Sequence, residues 1–185
     1  MPVIIVEYRG EAAFFCNAKG KLSKKAIAEG IINNVRKTII REQLTDPKFY
    51  QQMSKLLDDL IEQSRKDAEA YEAFLRKAEE LVRKLASKQP DDDVPASLHG
   101  NAEATVLYNN LDSIPATSFR YPTADEDKAT LALRLDWVVR ERAPAGWKGD
   151  ETRERTVQNA IYPLLDKDRL ATEALFDIIK NQPGY

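Results

Sequence analysis

Groups that usually carry chemistry are scarce in this 185-residue chain. One cysteine, Cys16, excludes an internal disulfide, and one histidine, His99, excludes a histidine-rich metal site. Both fit a reducing compartment. The seven glycines never fall into the G-x-x-x-x-G-K-[ST] spacing that lets backbone amides and a lysine cradle phosphates. No run approaches the roughly 18 apolar residues a membrane helix needs, so no membrane partner is expected. The opening Met-Pro-Val-Ile-Ile-Val has no basic leader and too short an apolar run for a signal peptide. The expectation is a cytoplasmic protein.

What is present is ordinary for a helix-rich protein: 43% apolar and 31% charged residues. That length can bury one moderate core. The net charge of −2 hides an asymmetry. Between Lys19 and Arg41 seven basic residues face one acid, Glu29, so the segment carries +6. The remainder has 21 basic against 29 acidic residues, or −8. A chain polarised in this way can turn a basic face to a polyanion; a merely solvated lysine-rich helix start is the other reading.

Residues 1–22 read as an N-terminal segment with an apolar, edge-like opening that packs on something upstream. Val3 to Val6 fit either a short strand or the stump of a helix. From Ser23, a fitting N-cap, Ile27, Ile31, Val35 and Ile39 recur every four residues, widened by Ala28 and Ile32. The opposite face of that helix carries Asn33, Asn34, Arg36, Lys37 and Arg41, with Ile40 among them. Asp46-Pro47 is a strong helix start, with the aspartate as N-cap and the proline at the first helical position. The helix behind it is expected to bury Phe49, Tyr50, Met53, Leu56, Leu57, Leu60 and Ile61. After a break near Ser64–Asp67, a third helix presents Tyr71, Phe74, Leu75, Ala78, Leu81, Val82 and Leu85. Together these two predict a long antiparallel helical hairpin within 23–88.

Gln89-Pro-Asp-Asp-Asp-Val-Pro95 is a linker signal, placed at 89–97. The C-terminal helical half, 98–185, has a short helix over Ala102–Leu111 and a loop to Pro122. Thr123-Ala-Asp-Glu126 matches a capping box and opens a helix running to Arg142. Leu131, Leu135, Val138 and Val139 line one side of it, and Leu133 and Trp137 the other. Pro144 to Gly149 form a turn. A helix from Asp150 is stopped by Pro163, and a last helix spans Asp168–Lys180. The predicted architecture is all-α: an irregular helical bundle with a second, smaller helical half, forming one compact domain overall.

No catalytic constellation emerges. His99 sits in a polar loop far in sequence from Cys16. Asp46-Pro-Lys48 superficially matches a nuclease metal motif but reads as a helix cap. Asp91–Asp93 fit a solvated linker better than a cation site, and Glu69, Glu72, Glu79 and Glu80 lack histidine partners. Two constellations stand out for binding. The first is the strip Asn33, Asn34, Arg36, Lys37, Ile40 and Arg41, whose like charges include an i,i+4 pair that a polyanion or acidic partner would relieve. The second is Trp147-Lys148 with Arg153 and Arg155: an exposed indole with cations would stack and contact phosphates, or the tryptophan plugs the bundle.

A set of dispersed pieces carries a resemblance: Ile5-Val-Glu7, Ile32-Asn-Asn-Val-Arg-Lys37 with Glu42-Gln43, Pro47-Lys-Phe-Tyr50, Met53-Ser-Lys-Leu-Leu57 and Leu60-Ile-Glu-Gln63. Tyr71, Leu75, Leu107-Tyr-Asn-Asn-Leu111, Gly146-Trp-Lys-Gly149, Val157-Gln-Asn-Ala-Ile161, Ile179-Lys-Asn-Gln182 and Tyr185 continue it. In this order the chain resembles the C-terminal helical region of type I restriction-modification motor (R) subunits. The resemblance implies an assembly and DNA-path domain that docks onto the methyltransferase and specificity subunits and helps to hold double-stranded DNA. It implies no cofactor in this chain; the ATP and Mg²⁺ of such a motor and endonuclease belong to upstream domains of the parent, whose motifs are absent here. Pro163, Cys16 and the Phe14-Phe15 pair depart from the pattern, and Pro163 implies a bend between the last two helices.

Overall fold

Several local signals in the sequence become element boundaries, Asp46-Pro47 and Asp168 among them. The computed structural model of the chain describes residues 5–8, 11–14, 24–66, 71–87, 94–121 and 125–185. The fold is all-helical in class, with seven α-helices among the described residues. Its one departure is a ribbon of two four-residue strands, β1 (Ile5–Tyr8) and β2 (Glu11–Phe14), paired antiparallel with Ile5 opposite Phe14 and Tyr8 opposite Glu11. Of the two readings open for Val3 to Val6, Ile5 and Val6 are strand. None of these helices is long and apolar enough to cross a membrane.

By its internal contacts the chain divides into two compact units. One comprises residues 1–42 with 50–90, the other residues 43–49 with 91–185. In the first, α1 (Lys24–Glu42) buries Val35 and Ile39 of its four-residue stripe. It packs against α3 (Tyr71–Ser87), whose Phe74, Ala78, Leu81 and Leu85 are buried. α2 (Pro47–Lys66) buries Tyr50, Met53, Leu57 and Leu60. It departs from the expected stripe at Leu56, which is 40% exposed and sits at the edge of the apolar arc. It also continues helical through Ser64 to Lys66, against the break expected near Ser64–Asp67; Asp67 itself lies outside the described residues. Ser23, residues 89–93 of the linker and the Thr123 end of the capping box also lie outside the described residues. Among the described residues α3 packs on α1, and the α2–α3 hairpin stays an expectation.

Polar side chains set the helix starts. Asp46 Oδ1 accepts from the Phe49 amide (3.2 Å), so the Asp46-Pro47 signal is a working N-cap. Asn110 binds the same turn twice: its Nδ2 donates to Asp46 Oδ1 (2.7 Å) and its Oδ1 accepts from the Lys48 amide (3.1 Å). Those bonds tie residues 46–48 to α4 (Ala102–Asn110). Asn101 caps α4, Asp150 caps α6 (Glu151–Ile161) and Asp168 caps α7 (Arg169–Asn181).

The core of the second unit gathers around α5 (Asp125–Arg142), which packs on α4 and α6, while α7 packs on both α4 and α6. Leu107, Leu135, Val139, Val157, Ile161, Leu165, Leu175 and Ile179 are fully buried there. Trp147 completes this core, its ring 5.7 Å from that of Phe176. α6 ends at Ile161, and Pro163 lies in a single 3-10 turn (Tyr162–Leu165). Asp166 and Lys167 then adopt left-handed backbone, at φ 52° and 59°, so the chain turns sharply before α7. α5 is apolar on a second side as its sequence predicted, with Leu133 half-buried and Trp137 59% exposed.

Candidate interaction surfaces

On α1 the period that buries Val35 and Ile39 forces the intervening positions outward. Asn33, Asn34, Arg36, Lys37, Ile40 and Arg41 are all exposed, so the strip read from the sequence exists as one helix face. Ile40 is 61% exposed, a branched apolar side chain set among cations. The side chains of Asn33, Asn34, Arg36 and Lys37 make no hydrogen bond or ion pair among the described residues. Arg41 reaches Glu42 at 3.4 Å, but Glu42 is buried and also accepts from the Tyr50 hydroxyl (2.9 Å). The strip therefore keeps a positive surplus, with donors pointing to solvent.

The second constellation is not an exposed stacking platform. Trp147 is 4% exposed and packs on Phe176, so the bundle-plug reading holds and the indole face is spent in the core. Its cations are also engaged. Arg153 Nη1 donates to the Ala145 carbonyl (2.8 Å) and its Nε lies 3.5 Å from Asp150, while Arg155 pairs with Glu151 at 2.7 Å. Lys148 Nζ donates to the Gln182 carbonyl and lies 5.5 Å from the centre of the Trp147 ring. Burial pushes its pKa below the usual lysine value. Glycine is required in this turn at Gly146 and Gly149, whose φ values are +63° and +89°.

Two polar clusters had no signal in the spacing. Asp136, buried on α5, accepts from Arg140 Nε (3.0 Å), Asn101 Nδ2 (2.8 Å) and the Tyr185 hydroxyl (2.8 Å). Arg140 continues to Glu103 at 2.9 Å. Burial, followed by the bond to Asp136, pushes the Tyr185 phenol far above its usual range. Asp168 binds the 117–119 loop and the first turn of α7 with one carboxylate. Every one of these partners is distant in sequence except within a helix turn, which is why pattern reading misses them.

His99 is exposed, with Nε2 3.3 Å from the Val94 carbonyl. Lys48 pairs with Asp112 at 2.5 Å, which accounts for it as a structural cation. Glu79 and Glu80 pair along α3 with Arg83 and Lys84. No cluster of His, Cys, Asp or Glu able to hold a metal occurs among the described residues. No family model, no curated protein and no solved structure matches this chain.

Proposed function

We propose that this chain is the helical assembly domain of a type I restriction motor subunit, docking it onto the methyltransferase and specificity subunits and lending basic surface to the path of double-stranded DNA. The α1 strip carries the reading: Arg36, Lys37 and Arg41 flank an exposed Ile40, with Asn33 and Asn34 beside them. An exposed branched apolar residue inside a cationic field suits a protein interface whose rim is polar and charged. Arg36 and Lys37, which make no ion pair among the described residues, suit phosphate oxygens. ATP-driven translocation and cleavage belong to upstream parts of the parent.

The DNA half of the reading is tested by fluorescence anisotropy with a short duplex. If the three cations meet phosphates, log K falls with log salt with a slope of about 3, and Arg36→Glu, Lys37→Glu and Arg41→Glu together remove it. Negligible binding at low salt, with no slope, contradicts DNA contact and returns the strip to a solvated spacer helix.

A further inference from the structure

One face of α5 stays turned to solvent. Asp127, Thr130, Arg134, Trp137 and Glu141 recur at three- and four-residue spacing along it, and all five are exposed. The opposite face carries Ala132, Leu135 and Val139, each fully buried in the core. Trp137 lies in the middle of the outward face, 59% exposed, with the half-buried Leu133 one turn before it. Its indole makes no hydrogen bond or ring contact among the described residues. A lone exposed apolar residue needs no explanation; the charges around this one do.

Two opposite charges frame the indole. Arg134 stands three positions before it and Glu141 four after it, both exposed. Neither side chain makes a hydrogen bond or ion pair among the described residues. Their separation along the helix, about 10 Å, keeps them from pairing with each other. Arg140, at the edge of the face, is different, because Asp136 and Glu103 already answer its charge. A face of one sign would suit a polyanion or a polycation. This face carries both signs, so it suits neither.

The order of the charges selects the partner. When a second copy of α5 lies antiparallel across the first, with the two-fold axis between positions 137 and 138, Arg134 of each copy comes level with Glu141 of the other. Two ion pairs form, and the two indoles meet beside the axis. A two-fold interface sets the same patch on both copies, so it must be complementary to itself. A parallel arrangement would set arginine on arginine. Tryptophan and arginine are also the side chains most often found anchoring protein interfaces.

We infer that the exposed face of α5 is a self-association surface: it binds a second copy of this chain antiparallel through Trp137, with Arg134 and Glu141 paired reciprocally across the axis. One helix face is smaller than a standard interface, so the dimer is weak, with a Kd of about 10–100 µM. The surface is separate from the α1 strip and stands whatever that strip meets.

The test is sedimentation velocity of the full chain from about 5 to 500 µM. Wild type is expected to pass from monomer to dimer across that range. Arg134→Glu and Glu141→Arg should each weaken self-association by about tenfold, since either reversal turns both ion pairs into repulsions. Mixed in equal amounts, the two single variants should dimerise with each other. The double variant carrying both changes should recover wild-type affinity, because the swapped charges are again opposite. Trp137→Ser should remain monomeric throughout. Rescue in the mixture and in the double variant distinguishes a lost contact from a lost fold. A wild type that stays monomeric, which would leave the face to a different protein, overturns the proposal. So would a dimer indifferent to Trp137→Ser, or single variants that fail to rescue one another.

Discussion

Asp168 divides its carboxylate between two parts of the chain. Oδ1 accepts from the Ala171 amide at 2.9 Å, the N-cap bond of α7, while Oδ2 accepts from the amides of Thr117, Ser118 and Phe119 at 2.6, 2.5 and 3.1 Å. The Ala171 and Ser118 amides favour the ionised form, and they outweigh burial, so its pKa lies far below the usual carboxylate value of 3.8. For a carboxyl group depressed on folding, stability is fully present above the unfolded pKa and is lost as pH falls towards the folded one. Wild-type stability should therefore decline below about pH 4. Asp168→Asn should be less stable at neutral pH, with the gap to wild type narrowing in acid. Urea midpoints measured down to about pH 2.5 check this, and a gap independent of pH would contradict it. The start of α7 was legible at Asp168, because capping is local. The Thr117–Phe119 partners were not, since 49–51 positions separate them from the aspartate. Trp147 shows the same limit: a turn sequence does not reveal which distant ring, here Phe176, will cover it.

Among the elements, α2 offers a controlled comparison of neighbours. Leu57 is 2% exposed and Leu56 40% exposed, although both fall within the apolar arc of the helix. Leu57→Ala should cost about 2–4 kcal/mol through lost burial and the cavity left behind. Leu56→Ala should stay within about 1 kcal/mol, as an edge position does. Chemical denaturation of the two variants measures both values, and equal losses would place Leu56 in the core after all. Periodicity showed where α1, α2 and α3 present their apolar faces, because 3.6 residues per turn is a local property. It could not show how wide the covered arc would be, which depends on the helix laid against it. On α5 the second apolar side was legible from Leu133 and Trp137, yet only the structure distinguishes the half-buried leucine from the exposed tryptophan.

Over the whole molecule, chain order conceals how the units are composed. Residues 43–49 group with the C-terminal part because their polar groups are answered from there: Asp46 and Lys48 by Asn110, Lys48 by Asp112, and the Thr45 carbonyl by Gln182. None of those pairs is closer than 62 positions, so no spacing rule reaches them. The helical class, by contrast, was legible throughout, since the apolar spacing is local and α2, α4, α6 and α7 carry capping residues at their starts. The α1 strip was legible as well, as a face opposite a regular apolar stripe. What that face meets is the central claim, and the most direct measurement is capture of a purified methyltransferase–specificity core by this chain. Wild type should capture the core. The combined Arg36→Glu, Lys37→Glu and Arg41→Glu variant should lose it, and Ile40→Ser should weaken it by about tenfold, roughly the loss of one anchoring side chain. Capture by both variants at wild-type affinity would contradict the account.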